Sequence, residues 1–152
     1  MSERHIGLIM RLINTEYLKL LDAQVKQFGI TAAQSEALYG ISEDEGLSQS
    51  QLKNSLGVSA ASLSVLIDSL SAKQLVERRL DPRDPRKTML YLTPASKKFA
   101  GQIGIIKQDI YTVLKESMSD AQLALLTEWL EQFLDNLQRQ SKSNHINHEA
   151  KN

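Results

Sequence analysis

The chain has 152 residues, 41% of them hydrophobic and 24% charged, with 18 cationic side chains against 18 acidic ones and no cysteine. That length carries one domain with a sizeable core, or one domain and an extension. The composition excludes a disulfide scaffold, a thiolate nucleophile, sulfur-ligated zinc and a thiol-based redox sensor, and no run of 18 apolar residues is present to span a membrane.

The opening MSERHIGLIM holds too short an apolar stretch for a signal peptide, so the expected location is the cytoplasm, with no membrane partner. Ile6, Ile9, Ile13, Tyr17, Leu20, Leu21 and Phe28 recur at helical spacing, and Gly29 stops that first helix. Thr31 with Gln34 forms a capping box for the next one. The acidic SEDEG at 42–46 is a loop. Its acids Glu43, Asp44 and Glu45 have no partner base, phosphate cradle or metal-ligand spacing, so neither an enzyme nor a cofactor is expected.

Two short helices follow. Ser48 with Gln51 caps the first, and Leu47 and Leu52 are its staple pair. Gly57 supplies the left-handed residue of the turn. Ser59 caps the second helix, where Leu63, Leu66, Ile67 and Leu70 form an inward face opposite Ala61, Ser62, Val65, Asp68, Ser69 and Ala72. The pattern then turns strand-like over 75–78 and 88–92, on either side of a basic tip. Thr93-Pro94 starts a helix with the apolar stripe Phe99, Ile103, Ile106, Ile110 and Leu114. Ser119 with Gln122 opens the last helix, along which Leu123, Leu126, Leu130, Phe133 and Leu137 repeat around Trp129. The polar tail at 141–152 is expected to be disordered. Its His145 and His148 stand three apart, a spacing seen in metal sites but more often without function in a tail, and no metal is assigned.

Net neutrality hides an uneven distribution. Residues 71–100 hold eight cations and three anions, a local charge of +5, whereas 109–135 hold six anions and one cation. A neutral chain can therefore still present a cationic surface to a polyanion. Two short helices, a glycine turn and a basic-tipped hairpin make a winged helix-turn-helix. The fold expected is mainly α, with a small β-hairpin wing and with N- and C-terminal helices forming a dimerisation region. The boundaries are 31–93 for the winged helix-turn-helix, with the helix-turn-helix itself at 48–73. Dimerisation helices lie at 5–28 and 94–140 of a single domain, 1–140.

The second short helix would enter a major groove of double-stranded DNA. Ser59, Ser62 and Ser64 offer hydrogen bonds, and Ala61 and Val65 can touch a thymine methyl; the serines fit a solvated surface equally well. Arg79, Arg83, Arg86 and Lys87 would lie along the backbone or in a minor groove. Pro82 and Pro85 stiffen the tip, and Asp84 is placed to hold Arg86. The apolar length of the terminal helices exceeds what one small helix-turn-helix can cover, which implies a homodimer. Met10, Asn14, Tyr17, Tyr39 and Ile106 are candidates to line a small-molecule effector cleft where the first, second and fifth helices meet, with an ordinary core role as the alternative.

The run LSQSQLKNSLGVSAASLSVLIDSLSAKQLVERRLDPRDPRKTMLYLTPAS resembles the core of the MarR family of bacterial transcriptional regulators, and the similarity spans residues 5–140. The D-x-R-D-x-R wing followed by a strand and L-T is its most specific part. The resemblance implies a triangular, helical homodimer with two wings. It implies repression or activation at pseudo-palindromic promoters, often relieved by a small aromatic or phenolic ligand. It puts Asp84 and Arg86 on the family's wing pair and Ser59 to Ser71 on its recognition helix. Three positions depart from the family pattern: Gln74 and Ser96 replace glycines, and Val65 stands where arginine is frequent. A MarR-like dimer that has lost specific DNA binding and acts through protein partners is the alternative reading.

Overall fold

The computed structural model describes residues 4–149, with side chains described for 5–142. In chain order it has α1 (Arg4–Val25), a 3-10 turn (Lys26–Phe28), α2 (Ala32–Glu43), α3 (Gln49–Leu56) and α4 (Ala60–Ala72). Strands β1 (Val76–Leu80) and β2 (Thr88–Leu92) follow, then α5 (Pro94–Lys115) and α6 (Asp120–Glu149). Two compact bodies result, one up to Ile110 and one from Tyr111. No single helix among the described residues is long and apolar enough to cross a membrane.

The helix starts follow from the capping side chains. At α2 the Thr31 hydroxyl accepts from Gln34 N–H while Gln34 Oε1 accepts from Thr31 N–H, and Asp22 Oδ1 takes a third free donor, Ala32 N–H, at 2.7 Å. Ser48 and Gln51 make the same reciprocal pair at α3. Ser59 caps α4 by accepting from Ser62 N–H. Gly57 ends α3 at φ +64°, a conformation glycine adopts without penalty.

Behind these caps, Leu63, Ile67 and Leu70 of α4 are fully buried with Leu38 and Ile41 of α2, Leu52 of α3 and Leu90 of β2. Each such side chain contributes about 1.5–3 kcal/mol relative to leaving it in water. This core fixes the direction of α4, so that its opposite face stays bare. One residue of that bare face differs from expectation. Ser69 turns toward α2, where its Oγ accepts from Gln34 Nε2 at 2.7 Å.

α4 closes through Gln74, at φ +58° the one non-glycine residue with positive φ among those described. Leu75 N–H reaches back to the Leu70 carbonyl and Gln74 N–H to that of Ser71, both at 2.9 Å. Ser96, in the first turn of α5, is fully buried, and its hydroxyl donates to the Leu75 carbonyl at 2.5 Å. Thr93 Oγ1 donates to the Gln74 carbonyl at 2.8 Å. Thr93 and Ser96 thus bond the consecutive carbonyls of Gln74 and Leu75 at the corner that follows α4.

β1 and β2 pair antiparallel from Val76↔Leu92 to Leu80↔Thr88. The end of the acidic loop adds to this sheet, which hydropathy alone does not suggest. Gly46 N–H donates to the Leu90 carbonyl at 2.9 Å, Leu90 N–H to that of Leu47 at 3.0 Å, and Ser48 bridges to Met89. Gly46, at φ +91°, lies against Tyr91; a Cβ there would sit 3.1–3.3 Å from the ring and its hydroxyl.

α6 continues to Glu149, past Ser141, where the polar composition suggests disorder; residues 150–152 lie outside the described residues. Extending an existing helix adds one hydrogen bond per residue without a new nucleation cost. The side chains of His145 and His148 fall outside those described.

Candidate nucleic-acid interface

The tip of the hairpin is a chain of small turns. Asp81 N–H donates to the Lys87 carbonyl at 3.0 Å, Asp84 N–H to that of Asp81 at 3.2 Å, and Lys87 N–H to that of Asp84 at 2.8 Å. Asp81 Oδ1 accepts from Arg83 N–H at 2.8 Å. The loop's acids therefore satisfy its own backbone, which leaves the basic side chains outward. Asp84 Oδ1 accepts from both the backbone N–H and the Nε–H of Arg86, at 3.2 and 3.1 Å. That contact orients a guanidinium whose side chain is 91% exposed. Arg83 and Lys87 are exposed and in no ion pair among the described residues.

Arg79 is more constrained than the sequence suggests. Its guanidinium lies 4.2 Å above the Tyr91 ring and bonds Glu77 at 2.8 Å. The bond to Glu77 raises its already high pKa. Arg78 reaches across to Asp68 of α4 at 2.7 Å, a contact the periodicity does not reveal. The only hint is that Asp68 is the sole charge on that helix and the first arginine of the strand follows it closely.

On α4 itself Ala61, Ser62 and Val65 are exposed, and Ser64 is half-buried. Val65 is 70% exposed. Ser59 combines its capping role with a hydroxyl bond to Ser62 Oγ at 2.8 Å.

The effector candidates divide. Tyr17 OH donates to Glu36 Oε1 at 2.7 Å, Lys107 Nζ to Glu36 Oε2 at 2.6 Å, and Lys107 sits 4.5 Å over the Tyr39 ring. Burial first, then the bond to Glu36 and its charge, hold the Tyr17 phenol well above its usual range. Ile106 is half-buried against the core, whereas Met10 and Asn14 are exposed on α1 and take no part in this cluster. Glu36 and Lys107 were not legible as members. They lie 71 residues apart, and only the fold brings them together. Among the described residues no group of three or more potential ligands is placed to hold a metal ion.

A capped helix pair, a bare face on its second helix and a stiff cationic hairpin define a winged helix-turn-helix protein. The MarR family model matches residues 28–87, and the multiple antibiotic resistance protein MarR of Escherichia coli is 27% identical over 130 residues, covering 85% of this chain and 90% of that protein. The chain is thus similar to the MarR family, whose members are transcription regulators and not enzymes. An HTH-type regulator of Bacillus subtilis, YsmB, is 26% identical over 129 residues, with 85% and 84% covered. Among solved structures, a cysteine-to-serine mutant of E. coli MarR complexed with operator DNA is similar at TM-score 0.76 and 27% identity, over 85% of this chain and 93% of that one. The S. aureus MepR–DNA complex shares the fold at TM-score 0.81 and 23% identity, over 90% and 99%.

Proposed function

We propose that the protein binds double-stranded DNA as a homodimer at pseudo-palindromic promoter sites in the cytoplasm, acting as a repressor that a small aromatic or phenolic effector releases. The observation that carries this reading is the Asp84-held Arg86 on a stiff tip, flanked by the unpaired Arg83 and Lys87 and standing after the bare face of α4. In this reading α4 lies in the major groove, presenting Ala61, Ser62, Ser64 and Val65, and the tip follows the backbone into the next minor groove. Ser59 caps the helix close to the phosphates. Arg79, stacked on Tyr91, supports the wing base and offers one face of its guanidinium. The operator complex of the E. coli relative supports DNA as the partner.

Dimerisation through 5–28 and 94–140 is supported by what one chain leaves uncovered. Ile6, Ile9, Ile13 and Leu20 on α1 are each about half exposed, as are Trp129, Leu130 and Phe133 on α6. Such apolar length at a surface marks a contact surface. Effector binding at the cluster of Tyr17, Glu36, Tyr39 and Lys107 is supported by a cation and two aromatic rings, a chemistry that suits a phenol or an aromatic acid. Ile106 would supply an apolar wall.

The test is duplex binding by fluorescence anisotropy across a salt series, using fragments of the source genome. Affinity falling linearly on a log–log plot, with a slope of about −0.9 per phosphate contacted, is expected. Absent or salt-insensitive binding to every fragment would instead favour a regulator that works through protein partners, a reading that the lack of any cation on α4 supports.

A further inference from the structure

We infer that α4 reads its bases through methyl groups, so that the stretch of each half-site beneath it is recognised by thymine and owes nothing to guanine; Val65 and Ala61 are the specificity-determining residues. This rests on the DNA-reading function proposed above and goes on to the sequence class of the ligand.

Elimination comes first. Guanine is read by the paired donors of arginine or lysine, and adenine by the donor–acceptor pair of asparagine or glutamine. The helix sequence AASLSVLIDSLSA holds none of these, nor histidine. Its one acid, which could accept from cytosine, is Asp68, and Arg78 holds that carboxylate at 2.7 Å. The Ser59 hydroxyl already accepts from Ser62 N–H and donates to Ser62 Oγ. The Ser69 hydroxyl is engaged by Gln34 Nε2. Beyond the helix end, Lys73 Nζ is bonded to the Gly29 carbonyl at 2.6 Å and to Gln34 Oε1 at 3.2 Å.

What remains outward is slim: the methyl groups of Ala61 and Val65, and the hydroxyls of Ser62 and Ser64, which can donate to or accept from any base and so do not select guanine. Ala61 and Val65 lie one turn apart on the exposed face, with the Ser62 hydroxyl beside them. Neither core packing nor helix propensity accounts for a β-branched residue 70% exposed in mid-helix, since valine forms helix less readily than alanine or leucine. A buried apolar partner does account for it. The only apolar group on any base edge in the major groove is the thymine C5 methyl. Small side chains beside Val65 allow the helix axis close enough for that contact.

The experiment selects duplexes from a random pool with the full chain. It then replaces single thymines of the best duplex by deoxyuridine, which removes only the methyl. Each contacted thymine is expected to lose about fourfold in affinity, the worth of one buried methylene. Val65→Ala should still bind but lose that uracil penalty at one thymine per half-site, to within about twofold. A fresh selection with Val65→Arg should acquire guanine at the facing position. Val65 is exposed, so an unchanged melting temperature will show that both variants fold. Uracil substitution without effect anywhere, or a guanine consensus beneath α4 that Val65→Ala leaves unaltered, would overturn the inference while leaving DNA binding standing. Salt-sensitive binding with no consensus would do the same. Failure to bind any duplex would overturn both.

Discussion

Gln74 holds φ +58° at the corner between α4 and β1, and its exposed side chain makes no hydrogen bond among the described residues. Left-handed backbone costs an L-residue about 1–2 kcal/mol. Gln74→Gly removes that strain without removing a contact. Glycine's extra freedom in the unfolded chain takes back about 0.4–1 kcal/mol. The net expected gain is therefore about 0.5–1 kcal/mol. For a chain of this size that is a rise of roughly 1–4 °C in melting temperature. Gln74→Ala is the control, because alanine keeps the strain and should change stability by less than about 0.5 kcal/mol. Both variants should be melted by calorimetry at one protein concentration, since any dimer makes the midpoint concentration-dependent. A Gln74→Gly protein no more stable than Gln74→Ala would refute the reasoning. It would mean that the bonds from Thr93 to the Gln74 carbonyl and from Ser96 to the Leu75 carbonyl absorb the whole penalty.

Arg83→Ala and Arg86→Ala should each weaken duplex binding about equally for all sequences and flatten the salt slope by about one unit, read from anisotropy titrations. Gly46→Ala, with φ +91° and Tyr91 in the way, should destabilise by about 1–3 kcal/mol in urea unfolding. The raised pKa of Tyr17 means the folded protein keeps a proton that the unfolded chain releases above about pH 10. Stability should therefore be intact below that pH and fall as pH rises beyond it. Tyr17→Phe should remove that part of the alkaline slope in urea midpoints measured from pH 8 to 11. Truncation after Met118 should yield aggregated or unfolded chain by light scattering and circular dichroism, and a well-behaved monomer would count against a dimer built on α6.

The winged helix was legible because its signals are local. Capping pairs at Thr31/Gln34 and Ser48/Gln51, the Gly57 turn and Pro94 at a helix start each depend on residues three or four apart. The Asp84–Arg86 contact is of that kind too, and the structure has it. What escaped were pairings between distant segments. Gly46 and Leu47 joining the sheet, Asp68 on Arg78, Ser69 on Gln34 and Glu36 between Tyr17 and Lys107 all depend on how elements pack. Period counting placed Ser69 on the outward face; a neighbouring helix's glutamine turned it inward. The bond from Ser96 to the Leu75 carbonyl, next to the left-handed Gln74, likewise depends on the folded corner.

Gln34 is nearly buried and serves two helices at once. It closes the first turn of α2 through Thr31, and its amide holds Ser69 in the last turn of α4, beside Lys73. Fraying of α2 releases the Gln34 side chain from Thr31, and with it the anchor that Ser69 of α4 bonds. Opening of the first turn of α2 should therefore raise amide exchange in the last turn of α4, far away along the chain.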